Sequence, residues 1–392
     1  MLMPHVICRA CVYRSMRVSI AVRSKGTQSN RNDSPLRRLL DDASGFGEAA
    51  PAERELQWAT QPYTARAPGQ QAAAPRVDPQ ETSVLLFPGQ GSQRVGMGRD
   101  LLKFPAAKDL YDLASSVVGW DVLKVCTEGP AAELDARCQT AVLVTSLAAL
   151  ERAREERPAA LQRVRAVAGF SLGEITALVY AGALPFEGAL KLVEIRSAAM
   201  RAASAERPGG MLTLWLAADA NLPHALLRAR EHAAERGVAG PVCQVANYLY
   251  PGCKVVAGDE EALKFLEKNG SKFGIKRAAR VRVEGAFHTP LMGAAEAAVR
   301  SALRALDVRA PRARVLSCVD ARAYGDAGAV RRTLARHVSR AVRWEQTLHA
   351  LYARPRGEPF PLTLALGPGA ALRSTLRQVN AKAWDTSLQI DA

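Results

Sequence analysis

The segment Gly169-Phe170-Ser171-Leu172-Gly173 holds the residue best suited to covalent chemistry. It follows the apolar run VRAVA and precedes the apolar, helix-like run LGEITALVYAGAL. A GxSxG between strand and helix has the form of a nucleophile elbow: its glycines let neighbouring backbone close on a strained turn that lifts the hydroxyl above a sheet. Ser171 is the candidate nucleophile. A serine hydroxyl attacks only when a base takes its proton, so a histidine must come close. Of the six histidines, His5 lies in the N-terminal segment, His224 and His232 on a charged helix, and His349 in another charged helix. His288, in GAFHTPLM, is flanked by small and apolar residues in a loop before a helix and is the candidate base; His337 is its competitor.

Two further features bear on a substrate. The loop Phe87-Pro-Gly-Gln-Gly-Ser-Gln93 follows the apolar run TSVLLF but lacks the GK[ST] ending of a phosphate-cradling loop, which disfavours nucleotide binding. A Gly-rich turn there can instead aim backbone N–H groups at an anionic oxygen. By the geometry of the elbow, the amide of Leu172 is the second such donor. On a helical wheel of residues 186–204, Ala189, Leu192, Val193, Met200 and Ala203 share one face, Glu187, Lys191, Glu194 and Arg201 the opposite one, and Arg196 sits in the middle of the apolar face. A guanidinium buried there needs an anion, either a carboxylate of the protein or one on a substrate.

The elements that must position these groups read as α/β. From about residue 81, apolar β-type runs alternate with helical ones over 105–118 and 141–154, the order of a mostly parallel sheet covered by helices. Between about residues 207 and 283 the texture changes to strand, helix, strand, strand, helix, strand, the ferredoxin-like order, and reads as an inserted subdomain. The first pattern then returns, with a helix over 290–306, the strands RVLSCVD and PLTLALG, and a last helix. The expected division is a large domain over 81–206 and 284–392, a subdomain over 207–283, and a Pro- and Ala-rich linker or loose arm over 33–80.

Residues 1–32 contain five arginines, one lysine and no acid, the signature of a mitochondrial transit peptide rather than a secretory signal. No run approaches the roughly 20 uninterrupted apolar residues of a membrane-spanning helix. The seven cysteines are scattered without a second CxxC, which argues for reduced thiols and against a zinc site. A net charge of +15 suits nucleic acid or an acidic protein, and an aromatic content of only 6% disfavours the base-stacking surface that the first would need.

Taken together, FPGQGSQ, GFSLGE, IRSAAM with Arg196, NYLYPG with Asn247, GAFHTPLM, VRWEQT and LGPG stand in the order and spacing of the malonyl-CoA:acyl carrier protein transacylases. The chain resembles the mitochondrial members of that family over about residues 81–392. The resemblance implies a hydrolase-like α/β domain with a ferredoxin-like insertion, and a ping-pong transfer of malonyl from coenzyme A to a carrier's phosphopantetheine thiol in mitochondrial fatty acid synthesis. It implies that Ser171 is acylated, that His288 is base and then acid, and that Gln90 and Leu172 supply the oxyanion amides. A backbone carbonyl at about His337 would orient His288, making His337 a neighbour of the base and not its rival. Arg196 would hold malonate's free carboxylate, with Met200 and Asn247 also contacting substrate. The expected partners are malonyl-CoA and an acyl carrier protein, with no nucleic acid, metal or redox cofactor; the expected state is a monomer in the matrix. Two positions depart from the pattern. Phe170 stands where bacterial members usually carry His, and Ala341 replaces a common proline, which puts the rigidity of that loop in question. A thioesterase or lipase would share Ser171 and His288 but has no need of Arg196. A non-catalytic basic module would need neither.

Overall fold

Among the residues described, 78–283 and 285–392 of this computed structural model, nine strands occur: β1 (Ser83–Phe87), β2 (Val164–Gly169), β3 (Gly209–Leu216), β4 (Cys243–Tyr250), β5 (Cys253–Asp259), β6 (Ile275–Arg280), β7 (Val315–Leu316), β8 (Leu362–Leu366) and β9 (Ser387–Ile390). The Arg-rich leader and nearly all of the 33–80 segment lie outside the described residues. Every residue of β1 is buried, which is what a parallel strand covered on both faces requires and why its sequence is an unbroken apolar run. It is the middle strand of a five-stranded parallel sheet ordered β7-β2-β1-β8-β9. The helix Cys138–Glu156 lies in the main core, with residues 138–150 all buried.

The second sheet is antiparallel, ordered β4-β5-β3-β6, with the helices Leu222–Glu235 and Glu260–Asn269 supplying its own apolar cluster around Leu212, Leu214, Val256 and Leu263. In order of appearance its strands run 2-3-1-4, the ferredoxin-like arrangement expected from the sequence. β4 also meets the other part of the protein through its edge. Asn247 bridges Val342, Tyr248 N–H donates to Val342 O at 2.8 Å, and Val342 N–H donates to Ala246 O at 2.8 Å. No helix among the described residues is long and apolar enough to cross a membrane.

Two strand expectations need correction. RVLSCVD pairs with β2 only over Val315–Leu316. Beyond that, Ser317 N–H turns back to Arg322 O at 2.8 Å and Ala321 takes φ 58°, so the rest of the run is a turn in which Ser317 and Cys318 are buried and Asp320 is exposed. After Ala371–Val379 the chain does not end on a helix: a short helix Ala381–Asp385 leads into β9, which joins the sheet edge beside β8. The four residues of β9 include Ser387 and Gln389, too few and too polar to announce a strand by periodicity.

The parallel sheet delivers the Gly-rich loop and the serine turn at the carboxyl ends of adjacent strands β1 and β2, where open α/β sheets place their ligands. Their closeness depends on absent side chains. A Cβ on Gly169 would lie 1.9 Å from Gly173 C, one on Gly173 would lie 2.1 Å from Phe87 O, and one on Gly89 would lie 2.3 Å from Phe170 O. All three obstacles are backbone. Gly169→Ala is therefore expected to destabilise the fold by about 3 kcal/mol or more, the upper range of overpacking, read as a loss of urea midpoint; an unchanged midpoint would show that the elbow can open without cost.

Candidate active site

Ser171 caps the helix Leu172–Tyr180 with φ 51° and ψ −112°, a conformation L-residues rarely adopt. Only three described non-glycine residues have positive φ, and two of them are Ser171 and His288 (φ 63°). Both turns are pinned: Phe170 N–H donates to Phe87 O and Glu174 N–H to Ser171 O, while His288 N–H donates to Val338 O, each at 2.9 to 3.0 Å. The strain is spent on a contact. Ser171 Oγ lies 2.9 Å from His288 Nε2, and both residues are buried.

On its other side His288 Nδ1 lies 2.9 Å from His337 O and 3.2 Å from Arg340 O. Two carbonyls can only accept, so Nδ1 carries the proton and Nε2 is left bare to receive one from Ser171. His337 is thus a neighbour that contributes its backbone; its ring packs edge-on against that of His288 at 5.6 Å between centres, with Nε2 3.1 Å from Cys318 Sγ. The carbonyl of Arg340 was not expected from the sequence. The loop in which Ala341 replaces the proline that the resemblance led one to expect is held by the two backbone bonds at Val342 to β4. Phe170 packs edge-on against Trp344 at 5.5 Å between ring centres, away from the hydrogen-bonded groups.

Arg196 is 1% exposed, as its place on the helix Phe186–Glu206 foretold. Its Nη1 donates to Gln139 Oε1 and its Nη2 to Ser171 Oγ at 3.2 Å, while Nε has no partner. Among the described residues no carboxylate lies within ion-pair distance of it. Burial pushes its pKa down to about 10, which still leaves it charged at neutral pH. Gln139, whose Nε2 also reaches Gln90 Oε1 at 3.2 Å and Met200 Sδ at 3.8 Å, ties these groups together and was not identified from sequence. Its signal was a polar residue on a helix buried all round. Gln90, Gln139, Met200, Arg201, Arg282 and Phe287 line a cavity of about 500 Å³ beside the site. A larger hollow of about 680 Å³ lies at the other end of the sheet, near Thr82, Arg163 and Leu362, and offers no nucleophile.

Leu172 is the first residue of its helix, so its N–H has no acceptor within the helix and is free for an incoming oxygen. Gln90 is kept against the elbow by the backbone contact of Gly89. Asn247 is buried with Oδ1 unpartnered, and its backbone lies in the bridge to Val342. Glu174, Cys318 and His337 bring their ligand atoms within 4.8 Å of one another. Both carboxylate oxygens already accept, from Cys318 N–H and from Tyr324 Oη, and burial raises the Cys318 thiol's pKa well above its ordinary value. The five described cysteines are all free and buried.

A strained serine in hydrogen-bond contact with a carbonyl-oriented histidine, at the carboxyl ends of parallel strands and beside an unpaired buried arginine, defines a serine acyl-transfer protein. The comparisons agree. The acyl transferase domain family matches residues 84–358. The chain is 49% identical to the probable mitochondrial malonyl-CoA-acyl carrier protein transacylase of Drosophila melanogaster, over 83% of this chain and 86% of that one. It is 42% identical to the mitochondrial malonyl-CoA-acyl carrier protein transacylase of Homo sapiens, over 97% and 91%. A malonyl-transacylase solved in complex with a type II PKS acyl-carrier protein superposes with a TM-score of 0.69 at 29% identity, covering 79% of this chain and 96% of that chain. The chain belongs to the malonyl-CoA:acyl carrier protein transacylase family.

His288 has its pKa lowered to about 4, first by burial and second by the charge of Arg196. The neutral, active form therefore persists through neutral pH. Inactivation of Ser171 by a neutral fluorophosphonate is expected to be flat above pH 5 and to fall through an apparent pKa near 4. In Arg196→Gln the lost positive charge moves that limb upward, toward the ordinary histidine value. A limb near 6.5 in the wild type would show that His288 is not the base seen here.

Proposed function

We propose that the chain transfers malonyl from malonyl-CoA to the phosphopantetheine thiol of an acyl carrier protein through a malonyl ester on Ser171. The observation that carries this reading is Arg196, a buried guanidinium with no carboxylate partner among the described residues, 3.2 Å from the nucleophile. A malonyl group bound to Ser171 brings the missing carboxylate. Arg196 grips its two oxygens, Gln139 steadies the guanidinium, and Met200 and Asn247 bound the acyl group. His288 takes the Ser171 proton as the hydroxyl attacks the thioester, the amides of Gln90 and Leu172 stabilise the oxyanion, and the proton passes to the departing thiolate of coenzyme A. The carrier thiol then attacks the ester, giving its proton to His288, which returns it to Ser171. No metal or redox group is needed for either half.

The remaining expectations are read the same way. The two mitochondrial relatives and the Arg-rich first 32 residues support import to the matrix, with that segment as the transit peptide. The boundaries 81–206 with 284–392, and 207–283, describe the acyltransferase domain and its insertion, in a chain that works as a monomer. The positive net charge suits an acidic carrier.

The test is intact-mass spectrometry of the protein lacking residues 1–32 after incubation with malonyl-CoA. Wild type is expected to gain one malonyl group and Ser171→Ala none; coenzyme A release with no adduct would make the protein a hydrolase. In Arg196→Ala, the preference for malonyl-CoA over acetyl-CoA is expected to fall by roughly tens- to a thousandfold, the effect of leaving one member of a desolvated charge pair alone. A preference unchanged in that variant would remove Arg196 from selectivity. With no thiol present, the adduct should outlast by a wide margin its transfer to added holo-carrier, followed by the same mass signal; equal decay with and without carrier would contradict a transferase.

A further inference from the structure

Glu174 sits one helical turn beyond Ser171, fully buried on a turn whose neighbours Leu172, Ile175 and Leu178 are apolar. A carboxyl group in such a place is costly to bury unless hydrogen bonds compensate, and an apolar side chain would fill the space without that cost. Its bonds are specific. Oε2 accepts from Cys318 N–H at 2.6 Å and lies 3.9 Å from His337 Nε2, while Oε1 accepts from Tyr324 Oη. Cys318 Sγ in turn lies 3.1 Å from His337 Nε2. His337 Nδ1 has no partner, so the ring proton belongs on Nε2, where the sulfur of Cys318 accepts it and the carboxyl group stands just behind. The carbonyl of that same residue receives the Nδ1–H of His288 at 2.9 Å.

We propose that Glu174 is a positioning residue for proton transfer in this site: it fixes the Cys318 turn and the ring of His337, and through the His337 carbonyl it sets the tautomer and aim of His288. A histidine ring is usually oriented by a carboxylate bonded to it directly. Here the carboxyl group acts one residue removed, and the group that touches the base is a neutral carbonyl. Because Glu174 N–H also bonds to Ser171 O, the turn that carries the nucleophile carries the group that steadies its base, so the 2.9 Å contact between Ser171 and His288 is closed from both ends by one element. The groups facing Glu174 are Cys318, Tyr324 and His337, with Asp320 and the guanidinium of Arg196 interacting with it through space. The inference rests on the reading of Ser171 and His288 as nucleophile and base.

The test compares Glu174→Gln with wild type in single-turnover malonylation of Ser171, in the affinity for malonyl-CoA, and in the ring-nitrogen spectrum of His288 in protein labelled with ¹⁵N-histidine. An amide offers one acceptor where the carboxylate offers two, so Cys318 N–H keeps its oxygen only if Tyr324 Oη turns from donor to acceptor of the amide NH2. The acylation rate is expected to fall about 10- to 100-fold, as for other outer partners that orient a histidine. Affinity should stay within about twofold, because no group that touches substrate has changed. The His288 signals should shift from a single Nδ1–H tautomer to a mixture. Acylation at the wild-type rate, or a loss confined to affinity, overturns the proposal. Should Glu174→Gln fail to fold, Tyr324→Phe removes one donor and leaves the carboxyl group in place; a slower acylation with a mixed tautomer supports the role, and wild-type values overturn it. A wild type that forms no adduct would overturn the acyl-transfer reading itself, whereas a wild-type adduct with unchanged variants would overturn only the role of Glu174.

Discussion

A positive charge buried 3.2 Å from a serine oxygen, with one of its nitrogens unpartnered, is a costly thing to build into a core, and much of this site is arranged around the guanidinium of Arg196. It explains why Gln139, a polar side chain on the most buried helix, is there: its carbonyl oxygen takes one face of the guanidinium without neutralising it. It helps hold His288 neutral, because an imidazolium beside a cation is disfavoured, and so keeps the base ready to accept. In the proposed reading it also leaves a positive charge that a carboxylate-bearing acyl group would neutralise, whereas an acetyl group could not.

The same positive field explains a base oriented by backbone. Carbonyls of His337 and Arg340 fix the tautomer as a carboxylate would, yet carry no charge that would compete for Arg196. The carboxyl group the structure does contain, Glu174, is spent behind the site on a turn and a ring. Cys318 and His337 connect it to the carbonyl that matters.

Much of this was legible in the sequence because it depends on local rules. GxSxG between a strand and a helix gives Ser171, a wheel with one cation on its apolar face gives Arg196, and the alternation of runs gives a parallel sheet with an inserted ferredoxin-like unit. What escaped depends on long-range pairing. Gln139 looks like any polar residue at a helix start until Arg196 is set against it. Glu174 reads as a first-turn acid suited to the helix dipole, and only the distant turn at Cys318 and Tyr324 shows that it faces inward. RVLSCVD has strand composition because its middle, Val315 to Cys318, is buried, but at Ser317 and Cys318 that burial serves a turn. β9 is too short to be seen before β8 is beside it.

A base held near a pKa of 4 is weak, and this weakness separates thiol from water in the proposed reaction. In the free site Arg196 donates to Ser171 Oγ, a contact that malonate's carboxylate would displace on binding in the proposed reaction. Loading and transfer would then both rely on His288 to take the proton of the attacking group. A thiol has a pKa of about 8.5 and bulk water about 15.7, so the base is poorly matched to water and much better matched to the carrier's sulfur. The bound carboxylate offsets the charge of Arg196, but burial, the first cause of the depression, remains, so the base stays weak. In the proposed reaction one buried cation thus selects the acyl group by its carboxylate, and burial together with that charge leaves a base better matched to a thiol than to water.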